Sequence, residues 1–247
     1  MSHFPRPTAE QLAVLSPFER FAFEVADLAN RHPLFSWFAR LFQKYVGAKW
    51  VHFCTRNLTH VEGLENLAKI TPDRGVLLAV NHRSLFDCYV LSSILMRQTS
   101  WVKRIYFPVR SSYFYERLDG VLVNALMSAM AMYPPVMRAA LKRSFNKYTV
   151  DTLAAQLRRP GTLVGMHPEG TRNKTPDPYQ LLPAQPGIGE LVIKANPVVL
   201  PAFILGLSNN FLGQIFGNFS GRLLIRFGHK VLVLRYLKRC AKIRGST

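Results

Sequence analysis

Acidic residues and cysteines are scarce in this sequence, and each scarcity excludes a class of protein. Only 14 Asp and Glu residues stand against 32 Lys and Arg residues, so the formal net charge is +18. Such a surplus favours a partner with negative charge, such as nucleic acid, anionic lipid or a phosphorylated substrate. The three cysteines, Cys54, Cys88 and Cys240, include no C-x-x-C pair and no histidine at ligand spacing. We therefore expect reduced structural thiols instead of a disulfide framework or a metal site.

Long hydrophobic runs are lacking as well. The two stretches without charged residues, 120–137 and 195–221, are both interrupted by prolines, and the second also by the polar run 208–210. Each leaves a shorter apolar piece that suits a core element or an interfacial segment better than a membrane-spanning helix. The N-terminus also lacks the basic start, apolar core and small-residue cleavage site of a secretory signal. We expect the protein to remain on the cytoplasmic side.

The first 55 residues are predicted to be a helical segment, followed by one domain over residues 56–247. Four polar positions recur at helical spacing in a narrow stripe of Ser36, Arg40, Gln43 and Lys44. The positions around this stripe are apolar: Leu34, Phe35, Trp37, Phe38, Leu41, Phe42, Tyr45 and Val46. A wide aromatic face beside basic residues is typical of an amphipathic helix that lies in a membrane interface. A helix that packs on its own domain is the alternative.

From about residue 70 the sequence alternates between short apolar, β-rich runs and helical stretches. This alternation predicts an α/β fold with a mixed, mostly parallel sheet flanked by helices. The predicted strands are Val76–Val80, 105–109, Thr162–Met166, 198–203, Leu223–Phe227 and, after a turn at Gly228, 231–234. Helices are predicted over residues 84–96 and 138–158.

A histidine and an acidic residue follow the first predicted strand at a strand-to-helix turn. Residues 81–87 read N-H-R-S-L-F-D, so His82 and Asp87 are five positions apart. Five residues span about 140° of an ideal helix, so the histidine must lie in the turn if the two side chains are to meet. With Ser84 as the helix N-cap, the Asp87 carboxylate could reach back to an imidazole nitrogen. Such a pair can be a general base with its orienting acid, or a surface pair without catalytic role.

A second polar cluster follows the predicted strand Thr162–Met166, where residues 167–173 read H-P-E-G-T-R-N. Open α/β sheets place their sites at the carboxyl ends of strands, and both motifs occupy such positions. Gly170 lets the backbone approach a ligand, and Thr171 offers a hydroxyl and an amide. Arg172 offers a planar fork that matches phosphate oxygens.

Arg138 precedes Glu169 by 31 residues. It opens the preceding predicted helix and could be a second phosphate ligand. Each residue also has a non-catalytic alternative, since Glu169 could simply pair with Arg172 and Arg138 could be a solvated helix charge. We expect His167 to be a packed residue and not a second base. The other five histidines show no ligand spacing, so no metal site is expected.

Together the two motifs resemble the glycerolipid acyltransferase family, typified by 1-acylglycerol-3-phosphate acyltransferase, a lysophospholipid acyltransferase. Residues 81–87 resemble the family's N-H-x-x-x-x-D block, and residues 167–172 resemble its F-P-E-G-T-R block. Arg138 falls where the family has its second-block arginine. Residues 197–201, P-V-V-L-P, resemble the fourth block around a proline. The resemblance covers roughly residues 60–230.

The resemblance implies a glycerolipid acyltransferase-like fold in which residues 56–247 are the catalytic domain. The amphipathic pattern separately predicts that residues 1–55 associate with the membrane. His82 would be the general base and Asp87 its orienter. The acyl donor would be acyl-CoA or acyl carrier protein, with no cofactor. The acceptor would be a lysolipid, foremost 1-acylglycerol-3-phosphate (lysophosphatidic acid), and the product phosphatidic acid. The residues implied in substrate binding are Arg138, Glu169, Gly170, Thr171, Arg172 and Pro201.

These substrates imply a peripheral or monotopic protein of phospholipid biosynthesis at the cytoplasmic face of the inner membrane. Three departures from the family pattern leave the acceptor open. His167 replaces the usual Phe, Asn173 replaces a common Ser, and residues 185–187, Q-P-G, stand where many members place a basic residue before the glycine. Another lysolipid, such as a lyso-ornithine lipid, is therefore an alternative acceptor. The oligomeric state is open too.

Three further alternatives belong to other functional classes. The net charge and the 12% aromatic content suit a nucleic-acid-binding protein. However, the aromatics cluster with apolar residues near the N-terminus instead of interleaving with Arg and Lys on a strand face, so no nucleic-acid partner is expected. A non-catalytic lipid-binding protein would not need His82 and Asp87. A thioester hydrolase could use water with the same pair.

Overall fold

The computed structural model describes residues 4–217 and 223–232. The α-helices are α1 (Ala9–Ala13), α2 (Pro17–Arg31), α3 (Pro33–Leu41), α4 (Ala48–Thr55), α5 (Leu64–Ala68), α6 (Asp87–Gln98), α7 (Ser111–Phe114), α8 (Leu118–Ser128), α9 (Phe145–Leu157), α10 (Pro186–Ala195) and α11 (Phe211–Phe216). A π-helical stretch over Phe42–Gly47 joins α3 to α4, and a 3₁₀ turn over Ala140–Lys142 precedes α9.

The main sheet has six strands in the order β1-β8-β7-β2-β6-β3. The strands are β1 (Thr59–Glu62), β2 (Val76–Val80), β3 (Arg104–Tyr106), β4 (Val109–Arg110), β5 (Pro135–Val136), β6 (Thr162–Met166), β7 (Val198–Leu205) and β8 (Leu223–Phe227). All neighbouring pairs run parallel except β7 and β8, which are antiparallel. The short strands β4 and β5 form a separate parallel pair. The predicted mixed, mostly parallel sheet is confirmed.

Apolar side chains cover both faces of the central strand β2. Leu78 points to one core cluster, which includes Leu91 and Leu95 of α6. Leu77 points to the opposite cluster, which includes Leu153 of α9. A parallel strand buried on both faces needs a nearly continuous apolar sequence, and V-L-L-A-V supplies it. Helices therefore flank the sheet on both sides, as predicted.

The sheet register brings the two motifs to one edge of the sheet. Ala79 of β2 lies opposite Met166 of β6, and the two strands run parallel. The two strands therefore end at the same edge of the sheet, so the loop after Val80 and the loop after Met166 are neighbours. Thus the order of strands, and not proximity in sequence, assembles the site.

Some boundaries differ from the sequence-based predictions. The predicted strand 105–109 is divided into β3 and β4, because Pro108 cannot donate a ladder hydrogen bond. The edge strand β1 was not predicted. Of the predicted strand 231–234, Val231 forms an isolated antiparallel bridge with Val199, while residues 233 and 234 lie outside the described part of the chain.

Helix α2 packs into the main domain and is not a free appendage. Ser16 and Glu19 form a capping box at its start, and Pro17 occupies the first turn. Phe23 is buried and makes edge contacts with Phe145 and Tyr148 of α9, at ring-centroid distances of 5.2 and 5.5 Å. The N-terminal helices thus share a core with the sheet, although the predicted boundary near residue 55 does coincide with the end of α4.

Helix α3 and the π-helical stretch turn their aromatic residues outward. Ala39 and Gln43 are buried, and the Gln43 amide donates to the carbonyls of Ile105 and Ser128. Gln43 belongs to the predicted polar stripe but is buried, whereas Arg40 and Lys44 of the same stripe are exposed. The large apolar residues left exposed are Leu34, Phe35, Trp37, Phe38, Tyr45, Val46, Trp50 and Phe53. Within residues 4–217 and 223–232, none of the helices combines the length and hydropathy that a bilayer crossing requires.

The described cysteines carry no disulfide. Cys54 is half-buried and Cys88 is buried, and both are free thiols. Burial raises the pKa of both thiols, which suits structural residues and not nucleophiles. Cys240 lies outside the described residues.

Candidate active site

His82 and Asp87 meet at the carboxyl end of β2. The Nδ1 atom of His82 lies 3.0 Å from Oδ2 of Asp87. The Asp87 side chain is fully buried, whereas 18% of the His82 side chain is exposed. Asn81, the residue before His82, is anchored to β7, because its side-chain amide exchanges two hydrogen bonds with the backbone of Ile204, at 2.9 and 2.7 Å. The predicted approach of histidine and acid is observed.

The Asp87 carboxylate also builds the turn that holds His82. Its Oδ2 atom accepts hydrogen bonds from the backbone amides of Arg83 and Ser84, at 2.8 and 2.9 Å. Helix α6 begins at Asp87, with no side-chain cap. The prediction that Ser84 caps the helix was therefore wrong. Ser84 instead donates its hydroxyl to Ser208 O at 3.0 Å, and the acid of the pair organises the turn.

The hydrogen-bond geometry fixes the role of each imidazole nitrogen. A carboxylate only accepts, so Nδ1 of His82 carries a proton that it donates to Asp87. In the neutral ring Nε2 then has the free lone pair and can take a proton from a bound group. The resulting imidazolium would face a buried negative charge. The arrangement is that of a general base with an orienting acid.

Glu169 joins the two motif loops. Its Oε1 accepts the backbone amide of His82 at 2.9 Å, and its Oε2 accepts the amide of Leu182 at 2.9 Å. The backbone amide of Asn173 donates to His82 O at 2.7 Å, which adds a second link between the loops. Glu169 is buried and bonds the amides of His82 and Leu182, while Arg172 bonds other groups, so the alternative of a simple ion pair between them was wrong. The carboxylate holds the backbone of the base in place.

Gly170 gives the second loop its shape. Its φ is +65°, which favours glycine, and an added Cβ would lie 2.7 Å from Gln185 Cγ. The Gly170 carbonyl accepts a hydrogen bond from the guanidinium of Arg138. Arg138 is exposed and lies in a loop between β5 and the 3₁₀ turn, so its predicted position at the start of a helix was wrong. It nevertheless reaches the second motif, and Thr171 beside Gly170 is exposed.

Arg172 has two partners that the sequence reading missed. Its guanidinium donates to Asn209 Oδ1 at 3.2 Å and to the Tyr113 hydroxyl at 3.3 Å. Asn209 Oδ1 also accepts the amide of Leu85 at 3.2 Å, next to the base-bearing turn. Asn209 follows the end of β7, so its position after a strand was the available signal. Tyr113 in α7 carried no comparable signal.

Pro201 lies inside strand β7 and not in a loop. Its register partner is Ala79 of β2, and its carbonyl accepts the amide of Gly228 at 2.9 Å. The residue is half-buried. Its predicted contact with substrate is not evident from this position and stays a prediction, as do the substrate contacts of the second motif.

The acyltransferase family model matches residues 59–205, which include both motifs, Arg138 and Pro201. The chain belongs to the acyltransferase family. Among solved structures, the 1-acyl-sn-glycerophosphate acyltransferase PlsC from Thermotoga maritima is similar over 95% of each chain, with 18% sequence identity and a TM-score of 0.45. A comparison with curated proteins finds no match.

His167 occupies the position of the phenylalanine in the F-P-E-G-T-R block that residues 167–172 resemble. Its ring stacks on that of His82, with centroids 3.9 Å apart and planes inclined by 11°. Its Nδ1 lies 3.2 Å from Val80 O and 3.1 Å from Asn81 O. The pKa of His167 is lowered to about 4, mainly by burial and also by the neighbouring His82, while Asp87 opposes the shift. The residue is packed, as predicted, but it packs on the candidate base.

The site does not fit a metal ion. Ligand atoms of His82, Asp87 and His167 lie within 4.8 Å of one another. An ion binds an imidazole nitrogen along its lone pair, in the plane of the ring, at about 2.0–2.1 Å for zinc. Two nearly parallel rings stacked at 3.9 Å cannot both direct a lone pair at one ion. Asp87 Oδ2, moreover, already accepts hydrogen bonds from three groups.

Proposed function

We propose that this acyltransferase moves a fatty acyl group from an acyl thioester to the hydroxyl of a lysolipid, foremost 1-acylglycerol-3-phosphate, and so forms phosphatidic acid. The observation that carries the proposal is the contact between His82 Nδ1 and the buried Asp87 carboxylate, 3.0 Å long, beside two arginines. A base with its orienter suits a reaction whose nucleophile is a substrate hydroxyl. Among the described residues beside the pair, the Cys88 thiol has a raised pKa and the Ser84 hydroxyl bonds Ser208 O, so neither is an activated nucleophile.

In the proposed reaction His82 Nε2 removes the proton from the acceptor hydroxyl while the oxygen attacks the thioester carbonyl. An ester C–O bond forms and the C–S bond breaks. The proton on the imidazolium then passes to the departing thiolate, so that the products are an ester and a thiol. Asp87 stabilises the imidazolium and keeps Nδ1 protonated. No cofactor is required by this sequence of steps.

The arginines beside the base suit the acceptor's phosphate. Arg172 is held by Asn209 and Tyr113, with its guanidinium carbon 5.9 Å from the Tyr113 ring centroid. Arg138 lies across the loop on the Gly170 carbonyl. Both retain N–H groups that a phosphate could accept from, and a guanidinium can bind two phosphate oxygens at once. Thr171 would bring its backbone amide to the same group, whereas the amide of Gly170 already donates to His167 O at 2.9 Å.

A turnover assay with labelled acyl-CoA and acyl carrier protein thioesters tests the proposal. We expect labelled phosphatidic acid when lysophosphatidic acid is added and little free fatty acid without it. Incorporation only into a lyso-ornithine lipid would change the acceptor but keep the reaction. Free fatty acid at equal rates with and without lysolipid would identify a hydrolase, and thioester binding without turnover would identify a lipid-binding protein.

We further propose that the protein docks on the cytoplasmic face of the inner membrane through its N-terminal helices. The exposed aromatic residues of α3, the π-helical stretch and α4 form the docking surface, here called the aromatic face. Helix α8 adjoins the aromatic face, because a Cβ added at Gly47 of the π-helical stretch would lie 3.8 Å from the carbonyl oxygen of Met127 in α8. The apolar residues that α8 exposes are Leu118, Leu122, Val123 and Leu126. An apolar patch of this extent on a soluble surface marks an interaction site.

The charges around the aromatic face favour an anionic bilayer. Arg40, Lys44, Lys49 and Arg56 are exposed on the same helices. Each basic residue near an anionic surface contributes about 1 kcal/mol. The cytoplasmic leaflet carries such a negative potential, and the basic residues would remain among head groups while Trp37 and Phe38 reach acyl-chain depth.

Liposome flotation tests the docking. Binding should rise with the fraction of anionic lipid and weaken with salt, because the Debye length falls from about 10 Å at 0.1 M to about 3 Å at 1 M. The double substitution Trp37→Ser and Phe38→Ser should release most of the protein that remains bound in high salt. Leu141→Ser is the matched control, because Leu141 is also an exposed apolar residue, at 91%, but lies away from the aromatic face. Its neighbour Lys142 bonds Glu19 at the start of α2, whereas the aromatic face follows the end of that helix. Unchanged binding of the double variant in high salt would refute the proposal that the aromatic face docks on the membrane.

A further inference from the structure

His167 lies between two aromatic groups in a stack that ends on the candidate base. Phe107 lies behind it with centroids 6.2 Å apart, and His82 lies in front at 3.9 Å. Gly165 makes room for the stack, because an added Cβ at this position would lie 2.0 Å from the Phe107 ring. Two elements therefore cooperate, β6 with the loop after it and the segment after β3, to set one imidazole against another.

The orientation of the His167 ring is fixed by the end of β2. Its Nδ1 faces two backbone carbonyls, those of Val80 and Asn81. Carbonyl oxygens only accept, so this nitrogen carries the proton. The residues that supply these carbonyls immediately precede His82, so the same short segment holds both rings. The stack is thus tied to the backbone of the base itself.

His167 is neutral at any pH near neutrality. Its pKa is lowered to about 4, mainly by burial. The charged or titratable groups that face it are His82 and Asp87, and Glu169 is two residues along the same loop. A neutral aromatic face in contact with a ring that becomes positively charged attracts that charge through its π electrons. A protonated ring there would instead repel it.

We propose that His167 is a positioning residue for the reaction: its neutral ring face holds the His82 imidazole against Asp87 and stabilises the imidazolium that forms when His82 takes the acceptor's proton. The inference rests on the proposed function of His82 as the base. It assigns no proton transfer to His167, because the proton on Nδ1 is engaged by two carbonyls and the ring face, not a ring nitrogen, meets His82.

Two substitutions separate the ring face from the hydrogen bonds. His167→Leu removes the aromatic face and the donor while retaining an apolar side chain, and His167→Phe restores only the face. With the full chain and saturating substrates, we expect kcat of the Leu variant to fall about tenfold with little change in KM, since the lost contact strengthens only as charge develops. The Phe variant should recover most of this loss. Thermal unfolding of both variants checks that they fold.

The possible outcomes distinguish this inference from the proposed function. If the wild-type protein transfers acyl groups and the Leu variant matches it, the inference is wrong while the function stands. If Phe is as inactive as Leu, His167 acts through its nitrogens and the inference is also wrong. Should the wild-type protein show no transfer, proton NMR still decides the positioning: the Nδ1 proton of His82 should persist in the wild-type protein and the Phe variant and exchange faster in the Leu variant. Equal exchange in all three would overturn the inference.

Discussion

Replacing Asp87 by Asn is the most informative single change in the base-bearing turn. Three donors converge on one oxygen of Asp87, those of His82 Nδ1, Arg83 N and Ser84 N. An asparagine must place its oxygen there, because its amide nitrogen would face three N–H groups. Its NH₂ group then occupies the position of Oδ1, which is buried and has no hydrogen-bond partner among the described residues. The turn is thus kept, while the negative charge is lost.

The expected loss of rate follows from that charge. Two unit charges about 4 Å apart interact by roughly 4 kcal/mol at an effective dielectric constant of about 20. A neutral hydrogen bond from Nδ1 to the asparagine oxygen would retain about 1 kcal/mol of this energy, so about 3 kcal/mol is lost. We therefore expect kcat to fall about a hundredfold, since each 1.36 kcal/mol is about tenfold. The buried, unpaired NH₂ group should also destabilise the fold by about 1–3 kcal/mol.

Steady-state acyl transfer and thermal unfolding measure the two effects separately. Asp119→Asn is the matched control, because Asp119 is exposed and pairs with Arg117 at the start of α8, away from the base-bearing turn. The control should keep both activity and stability. A folded Asp87→Asn protein that turns over within about threefold of wild type would refute the reasoning. Such a small loss of rate would mean that the Asp87 charge does not stabilise the imidazolium of His82.

Three further changes test other parts of the account. Glu169→Gln should lower kcat more than it raises the KM of the acceptor, since one of its two oxygens becomes a donor opposite a backbone amide; steady-state kinetics would contradict this if only KM changed. Arg172→Lys should raise the acceptor KM with little change for the donor, because it keeps charge but loses the fork; an effect on the donor alone would assign the residue to the thioester. Burial opposes ionisation of Glu19, but hydrogen bonds from Lys142 and Ser16 outweigh it and lower its pKa below 4.5. The stability so gained is present above about pH 4.5 and is lost as the pH falls further, so Lys142→Met should flatten the acid side of a stability–pH curve, and an unchanged curve would exclude the ion pair as its cause.

The sequence predicted the contact of His82 with Asp87 because the spacing and the preceding apolar strand leave few other geometries. It did not predict that Asp87 also caps its own turn. The details depend on where α6 begins, and a serine three positions ahead of the acid suggests a conventional cap. In a conventional cap the serine side chain would accept the amide of a residue after it. Here the side chain of Asp87 accepts the amides of Arg83 and Ser84, which precede it.

Arg138 illustrates how a local contact shifts an element boundary. Residues 139–144 have helical propensity, which predicts a helix from 138 onward. The Asn146 side chain instead bonds both the amide and the carbonyl of Met137, at 2.7 and 2.8 Å, and closes the segment into a loop. The helix therefore begins at Phe145. Such a side-chain bridge cannot be read from propensity.

The partners of Arg172 and the orientation of α3 depend on tertiary structure. Tyr113 and Asn209 are distant from Arg172 in sequence and meet it only through the sheet order. Periodicity in α3 separates a polar stripe from an aromatic face but does not say which one turns inward. Here the small residue Ala39 and the amide of Gln43 fit the interior, and the bulky side chains remain outside.

Acyl transfer by a folded His82→Ala protein tests the central claim most directly. His82 is the base in the account, and its loss should lower the rate of labelled acyl transfer to lysophosphatidic acid by about 10² to 10⁴, more than Asp87→Asn does. The His82 side chain is only 18% exposed and donates to the buried Asp87 carboxylate, so the variant should melt at a lower temperature than wild type, and thermal unfolding checks that it is still folded in the assay. A folded His82→Ala protein that transfers acyl groups within about threefold of wild type would contradict the account, and the base would have to be sought elsewhere.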